Sequence, residues 1–176
     1  MEKHPPRRLM KERLIPFENQ KFKCLQCSEC CKARSVPLTL EDIKRMSVYR
    51  DPQEFIIVYN ERKLAIERRE WDAGCVFSDG WRCTIHEIKP LVCRMYPVCI
   101  SNTPLLGEEE PITLQDNVNM YVYVDAACEG VGQGELLDIE EIKRKGLQLR
   151  NEMMVTDLEA VIGWYTHEYE DDKGKE

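Results

Sequence analysis

Four cysteines fall within eight residues, Cys24, Cys27, Cys30 and Cys31, in the run F-K-C-L-Q-C-S-E-C-C-K-A-R from Phe22 to Arg34. A C-x2-C step brings two sulfurs towards one point because the chain turns back between them. Here the step occurs twice in succession, which is the spacing of thiolate ligands to zinc or to an iron–sulfur cluster. Cys30 and Cys31 are neighbours, and neighbouring side chains diverge by about 100° in a helix and to opposite faces in a strand. Their two sulfurs are therefore expected to face two sites, or to leave one of them spare. The plainer readings of the run are a disulfide framework or inert buried thiols.

Composition decides between these. Nine cysteines in 176 residues, about 5%, is below the density of disulfide-built secreted scaffolds, and the count is odd. The N-terminus M-E-K-H-P-P-R-R-L-M-K carries charge with no apolar segment behind it, so a secretory signal is not expected. A reducing, cytoplasmic setting follows as the expectation, where thiols bind metal or catalyse more often than they pair. A net charge of −7 argues against nucleic acid as a partner. No stretch of about 18 apolar residues exists to span a membrane.

The length suits one small domain, and the pattern of elements reads as α+β, with short strands, a hairpin and several helices around a cysteine-rich metal centre. Residues 1–21 form a basic arm with Lys3, Arg7, Arg8, Lys11, Arg13 and Lys21, in which Pro5, Pro6 and Pro16 prevent a long helix. Residues 22–134 form the cysteine-cluster domain, and residues 135–176 add helices packed on it. Thr39 and Asp42 give a capping-box start to a helix over Leu40 to Val48. Asp51-Pro52 predicts a second helix carrying Phe55, Ile56, Val58 and Tyr59. Leu64 and Ile66 suggest a short strand. Val118 to Val124 alternates apolar residues as a strand does. A helix is predicted from Ile139 to about Met153 behind Asp138, and a last one over Asp157 to His167.

Further thiols lie downstream. In Cys75-Val76-Phe77-Ser78-Asp79-Gly80-Trp81-Arg82-Cys83 the central Asp-Gly predicts a turn between extended legs, bringing Cys75 and Cys83 together. Cys83 and His86 have C-x2-H spacing, so His86 is a candidate ligand, although a hydrogen-bonded or surface histidine is the plainer reading. Pro90 predicts a helical turn bearing Cys93. Arg94 beside it is a candidate counter-charge, since four thiolates around a metal leave net negative charge; its plainer role is a surface ion pair. Cys128 opens C-E-G-V-G-Q-G after the best strand. That pattern is shared with nucleotide-binding loops, but only 42 residues follow Gly134, too few for their alternating strands and helices. The glycines are expected instead to turn the backbone around Cys128, with amides available to its sulfur.

Together these residues resemble the YkgJ-type cysteine-cluster family, a zinc- or iron-chelating C-x-x-C-x-x-C-C domain. The matching pieces are F-x-C24-x-x-C27-x-x-C30-C31, C75-x-F, C83-x-I, K89-P90-x-x-C93-R94-x-Y-P97 and C128-x-G-x-G-x-G, spanning Phe22 to Gly134. The chain departs from the family at Lys89, where Arg is usual, and at Glu129, where Pro is usual. The resemblance implies eight metal-binding thiols, Cys24, Cys27, Cys30, Cys31, Cys75, Cys83, Cys93 and Cys128, with Cys99 outside the set. The C-x2-C-x2-C run followed by remote cysteines favours a bound iron–sulfur cluster, one or two of the [4Fe–4S] type, over a zinc ribbon, with Arg94 beside it and a redox or other protein partner. The alternatives are a structural zinc protein without catalysis and a protein-lysine methyltransferase-like enzyme.

Overall fold

A computed structural model describes residues 12–32, 36–59, 63–101, 103–107, 109–114 and 117–152. The expected final helix with His167, and the arm residues Lys3, Arg7, Arg8 and Lys11, lie outside these. The architecture is α+β. Its strands are β1 (Leu14–Pro16), β2 (Lys21–Phe22), β3 (Ile56–Tyr59), β4 (Lys63–Ile66), β5 (Val98–Ser101), β6 (Ile112–Thr113), β7 (Asn119–Asp125) and β8 (Glu135–Leu136). Its helices are α1 (Leu40–Met46), α2 (Leu91–Met95) and α3 (Ile139–Glu152). Among the described residues no helix is long and apolar enough to cross a membrane.

Two compact units divide the chain: a cysteine unit, Cys24–Tyr96, and a sheet unit made from residues up to Lys23 and from Pro97 onward. In the sheet unit, β7 is central because its alternation places Met120, Val122 and Val124 in the core. It pairs antiparallel with β1, β5 and β6. Arg13 clamps the β1 edge through a two-pronged ion pair to Asp125, with Nε 3.1 Å and Nη2 2.9 Å from the carboxylate oxygens. The amphipathic α3 buries Ile142, Gly146 and Leu149. At Gly146 an added Cβ would lie 3.3 Å from the Met120 sulfur, so glycine allows close approach of this helix to the strand.

The glycine-rich turn after Cys128 is a backbone dock. Lys23 N–H donates to the Gly130 carbonyl at 3.1 Å and Gly132 N–H to the Lys21 carbonyl at 2.9 Å, while β8 pairs with β2. The amide of Val131 goes to the Cys128 carbonyl. A Cβ at Gly130 would stand 2.2 Å from the Lys23 carbonyl oxygen, and backbone cannot swing aside. Gly130→Ala is therefore expected to cost about 2–3 kcal/mol, in the upper range for overpacking. Urea unfolding measures this, and a loss under about 1 kcal/mol would contradict it.

In the cysteine unit α1 starts as its sequence requires. Thr39 Oγ1 accepts from Asp42 N–H at 3.0 Å and the Asp42 carboxylate accepts from Thr39 N–H at 3.2 Å, a complete capping box. The second expected helix is corrected. Asp51 caps through Gln53 N–H and Pro52 starts a single 3₁₀ turn, Pro52–Glu54. The chain then enters β3, paired antiparallel with β4. The aromatic and β-branched run from Phe55 prefers the pleated conformation once a partner strand is available. Phe55, Met46, Ile66, Phe77 and Ile85 form the core of this unit, and Cys31 and Cys75 are part of it.

Candidate metal centre

The backbone first brings Cys31 to Cys75. Gln26 and Ser28, between the cysteines of the run, hold left-handed φ of 55° and 62°, and from Ser28 the chain enters a 3₁₀ turn, Glu29–Cys31. Cys75 N–H donates to the Cys31 carbonyl at 2.9 Å, and Lys32 bridges to Gly74. The buried Ser28 hydroxyl accepts from Ser78 Oγ at 3.2 Å, pinning the same two segments.

A turn then returns Cys83 to Cys75. Asp79 Oδ1 accepts from the N–H groups of Trp81 and Arg82, each at 2.8 Å, and Gly80 takes φ +94°. The predicted Asp-Gly turn is present, with legs joined by a single bridge between Ser78 and Cys83 and not by longer strands. Cys93 comes from α2, whose expected start after Pro90 is also found.

These elements converge sulfur on sulfur. The Cys31 thiol hydrogen-bonds with Cys30, Cys75 and Cys83, and these contacts, with its burial, hold its pKa far above the usual thiol range. Its hydrogen bond acts in the opposite sense on its partners: Cys75 is lowered and Cys83 is lowered to about 7, chiefly through Cys31. Cys93 is raised, chiefly by burial and then by negative charge at Cys30, Cys75 and Cys83. Cys31 is the last residue of its 3₁₀ turn, and its backbone is tied to Cys75.

Among the described residues no group of three or more His, Cys, Asp or Glu side chains is already in position to hold a metal ion. The chemistry of the donor set nevertheless fits a thiophilic cation. Thiolate, not thiol, ligates, and a bound cation would offset the negative charge at Cys30, Cys75 and Cys83 that adds to burial in raising Cys93.

Positive charge reaches the thiols from Lys89, already noted where the family usually has Arg, and from two arginines that the sequence pattern did not single out. Lys89 acts on Cys83 and Cys93, Arg68 on Cys75, and Arg69 senses Cys75 and Cys31. No spacing rule reveals the two arginines, because they are brought there by the fold. Arg94 is half-buried on α2 next to Cys93.

Cys24 and Cys27 are exposed, and Cys24 Sγ lies 3.6 Å from His86 Nε2. His86 thus meets a different cysteine from the one its spacing suggested. Cys128, half-buried in the turn after β7, and Cys99, on β5, belong to the sheet unit. The Cys99 thiol donates to the Pro97 carbonyl at 3.7 Å.

Compared with known protein families, residues 23–129 match the family model CxxCxxCC, described as "Putative zinc- or iron-chelating domain". No curated protein and no solved structure matches the chain.

Proposed function

This chain belongs to the CxxCxxCC family of metal-chelating domains, and from that premise we propose that the cysteine unit holds one metal ion through Cys30, Cys31, Cys75 and Cys83. The observation that carries the proposal is the backbone arrangement, in which Cys75 N–H donates to the Cys31 carbonyl at 2.9 Å and the Asp-Gly turn returns Cys83 towards Cys75. A site closed by four protein ligands leaves no position for substrate and is structural in character. Zinc is the ion this reading favours. When bound it would supply folding energy, and Lys89, Arg68 and Arg69 would offset the negative charge of its ligands.

One observation favours an iron–sulfur centre with a redox role as the second reading. Cys93 is a fifth sulfur, half-buried and within electrostatic reach of Cys30, Cys75 and Cys83, more than a single tetrahedral ion uses. Protein purified without oxygen separates the two. Colourless protein with one zinc and no acid-labile sulfide is the expected result. Brown protein with iron and sulfide in equal amounts would overturn it in favour of the cluster, and metal-free protein would overturn both.

A further inference from the structure

The β3–β4 ribbon has one occupied edge and one open edge. Along β4, Ile66 N–H donates to the Val36 carbonyl and the Leu64 carbonyl accepts from Leu38 N–H, each at 2.9 Å. The backbone groups of Leu64 and Ile66 therefore point away from β3. Glu67 N–H, which donates to the Phe55 carbonyl at 2.8 Å, points the other way. Residues of an antiparallel ladder alternate in this manner along each strand. Ile57 pairs with Ala65 and Tyr59 with Lys63, so Ile57 and Tyr59 bond to β4 while Ile56 and Val58 turn their N–H and C=O groups outward. Among the described residues β3 pairs with β4 alone, and nothing bonds to those four groups.

Natural edge strands are blunted by a lysine, a proline or a bulge. β3 reads Ile-Ile-Val-Tyr, without charge or proline, and Ile57 and Val58 are 38% and 67% exposed. We propose that two copies of this chain associate through β3, antiparallel, about a two-fold axis at Ile57. Ile56 then stands opposite Val58 of the second copy, and each such pair exchanges two bonds. Four bonds satisfy every outward group of both strands. A shift of one residue sets outward groups against inward ones, and a shift of two pairs only one outward residue within the strand. In the Ile57 register Ile57 meets Ile57 and Val58 meets Ile56, apolar on apolar. Charge also favours a second copy: the chain carries −7, so copies repel elsewhere and approach at least cost along an uncharged strand. The contact is smaller than the roughly 1,200 Å² at which standard interfaces begin, so the association is weak and reversible. It does not depend on what the thiols hold.

The test uses the full chain as purified, with reductant present so that the exposed Cys24 and Cys27 form no intermolecular disulfide. Sedimentation equilibrium up to about 1 mM is expected to show monomer and dimer in exchange. Amide hydrogen exchange read by NMR gives the register without any variant. Protection of the Ile56 and Val58 amides should rise with protein concentration, and that of Ile57, already bonded to β4, far less. Ile57→Lys sets two ammonium groups opposite each other and should weaken the dimer about 10-fold. Val58→Pro removes an outward donor and none of the bonds to β4, and should abolish the dimer. A monomer throughout, a dimer in which Ile56 and Val58 gain no protection, or Ile57→Lys associating like the parent would each overturn the proposal. So would full protection of those two amides in dilute protein, which would put another segment of the same chain on the edge.

Discussion

Cys31→Ser is expected to strip the protein of its tightly held metal and to unfold the cysteine unit. Cys31 is the sulfur on which Cys30, Cys75 and Cys83 converge, and it is also part of the apolar core with Met46, Phe55 and Phe77. Serine keeps the volume but is a poor ligand to a thiophilic ion, and it places a hydroxyl among sulfurs. Thiolate-bound zinc contributes about 10–16 kcal/mol of apparent binding energy to small folds. Losing even half of that, about 5–8 kcal/mol, is comparable to the whole stability of many domains, roughly 5–15 kcal/mol. The measurement is metal content after desalting, with the far-ultraviolet circular dichroism of the same sample. Cys99→Ser, in β5 of the sheet unit with its thiol turned to a local carbonyl, should keep both signals. Equal loss in the two variants would remove Cys31 from the centre of the site.

Asp42→Ala is the second change with a large expected effect. The Asp42 side chain is 0% exposed and accepts from three donors. Thr39 N–H at 3.2 Å closes the capping box, Leu91 N–H at 3.0 Å comes from the first turn of α2, and the Arg45 guanidinium forms an ion pair. Arg45 in turn donates to the Ile88 carbonyl at 3.2 Å. One carboxylate therefore joins α1 to the segment leading to Cys93. Removing it leaves two buried N–H groups and a half-buried cation without their acceptor. The expected loss is about 3–5 kcal/mol, the range for breaking one side of a buried ion pair. Asp42→Asn, which still offers an oxygen to the cap, should lose less. Denaturant midpoints of the metal-loaded proteins measure both, and a loss under about 1 kcal/mol for Asp42→Ala would contradict the role.

What the sequence could disclose was what depends on near neighbours. The capping box of Thr39 and Asp42, the Asp-Gly turn before Cys83, the alternation of β7 and the helix from Ile139 are all local patterns, and all are present. The failure at Phe55–Tyr59 has a different origin. Those residues suit either a helix face or a strand, and the outcome was decided by β4, a partner whose value to them no short window expresses. The thiol set is divided the same way. Cysteine spacing identified Cys30, Cys31, Cys75, Cys83 and Cys93 as candidates. It did not show that Cys31 would be the meeting point, because that rests on one backbone hydrogen bond from Cys75. Nor did it show His86 beside Cys24, a pairing across 62 positions.

The cysteine unit is one uninterrupted length of chain, whereas the sheet unit is assembled from the segments before and after it. The ion pair between Arg13 and Asp125 spans 112 positions, so β1 finds β7 only after the whole intervening polypeptide has been gathered in. Each doubling of such a loop costs about 0.6 kcal/mol in lost freedom. A cation that condenses residues 24–96 shortens the loop that remains to be closed. Loss of the ion is therefore expected to weaken β1–β7 pairing as well, although those strands carry none of its ligands.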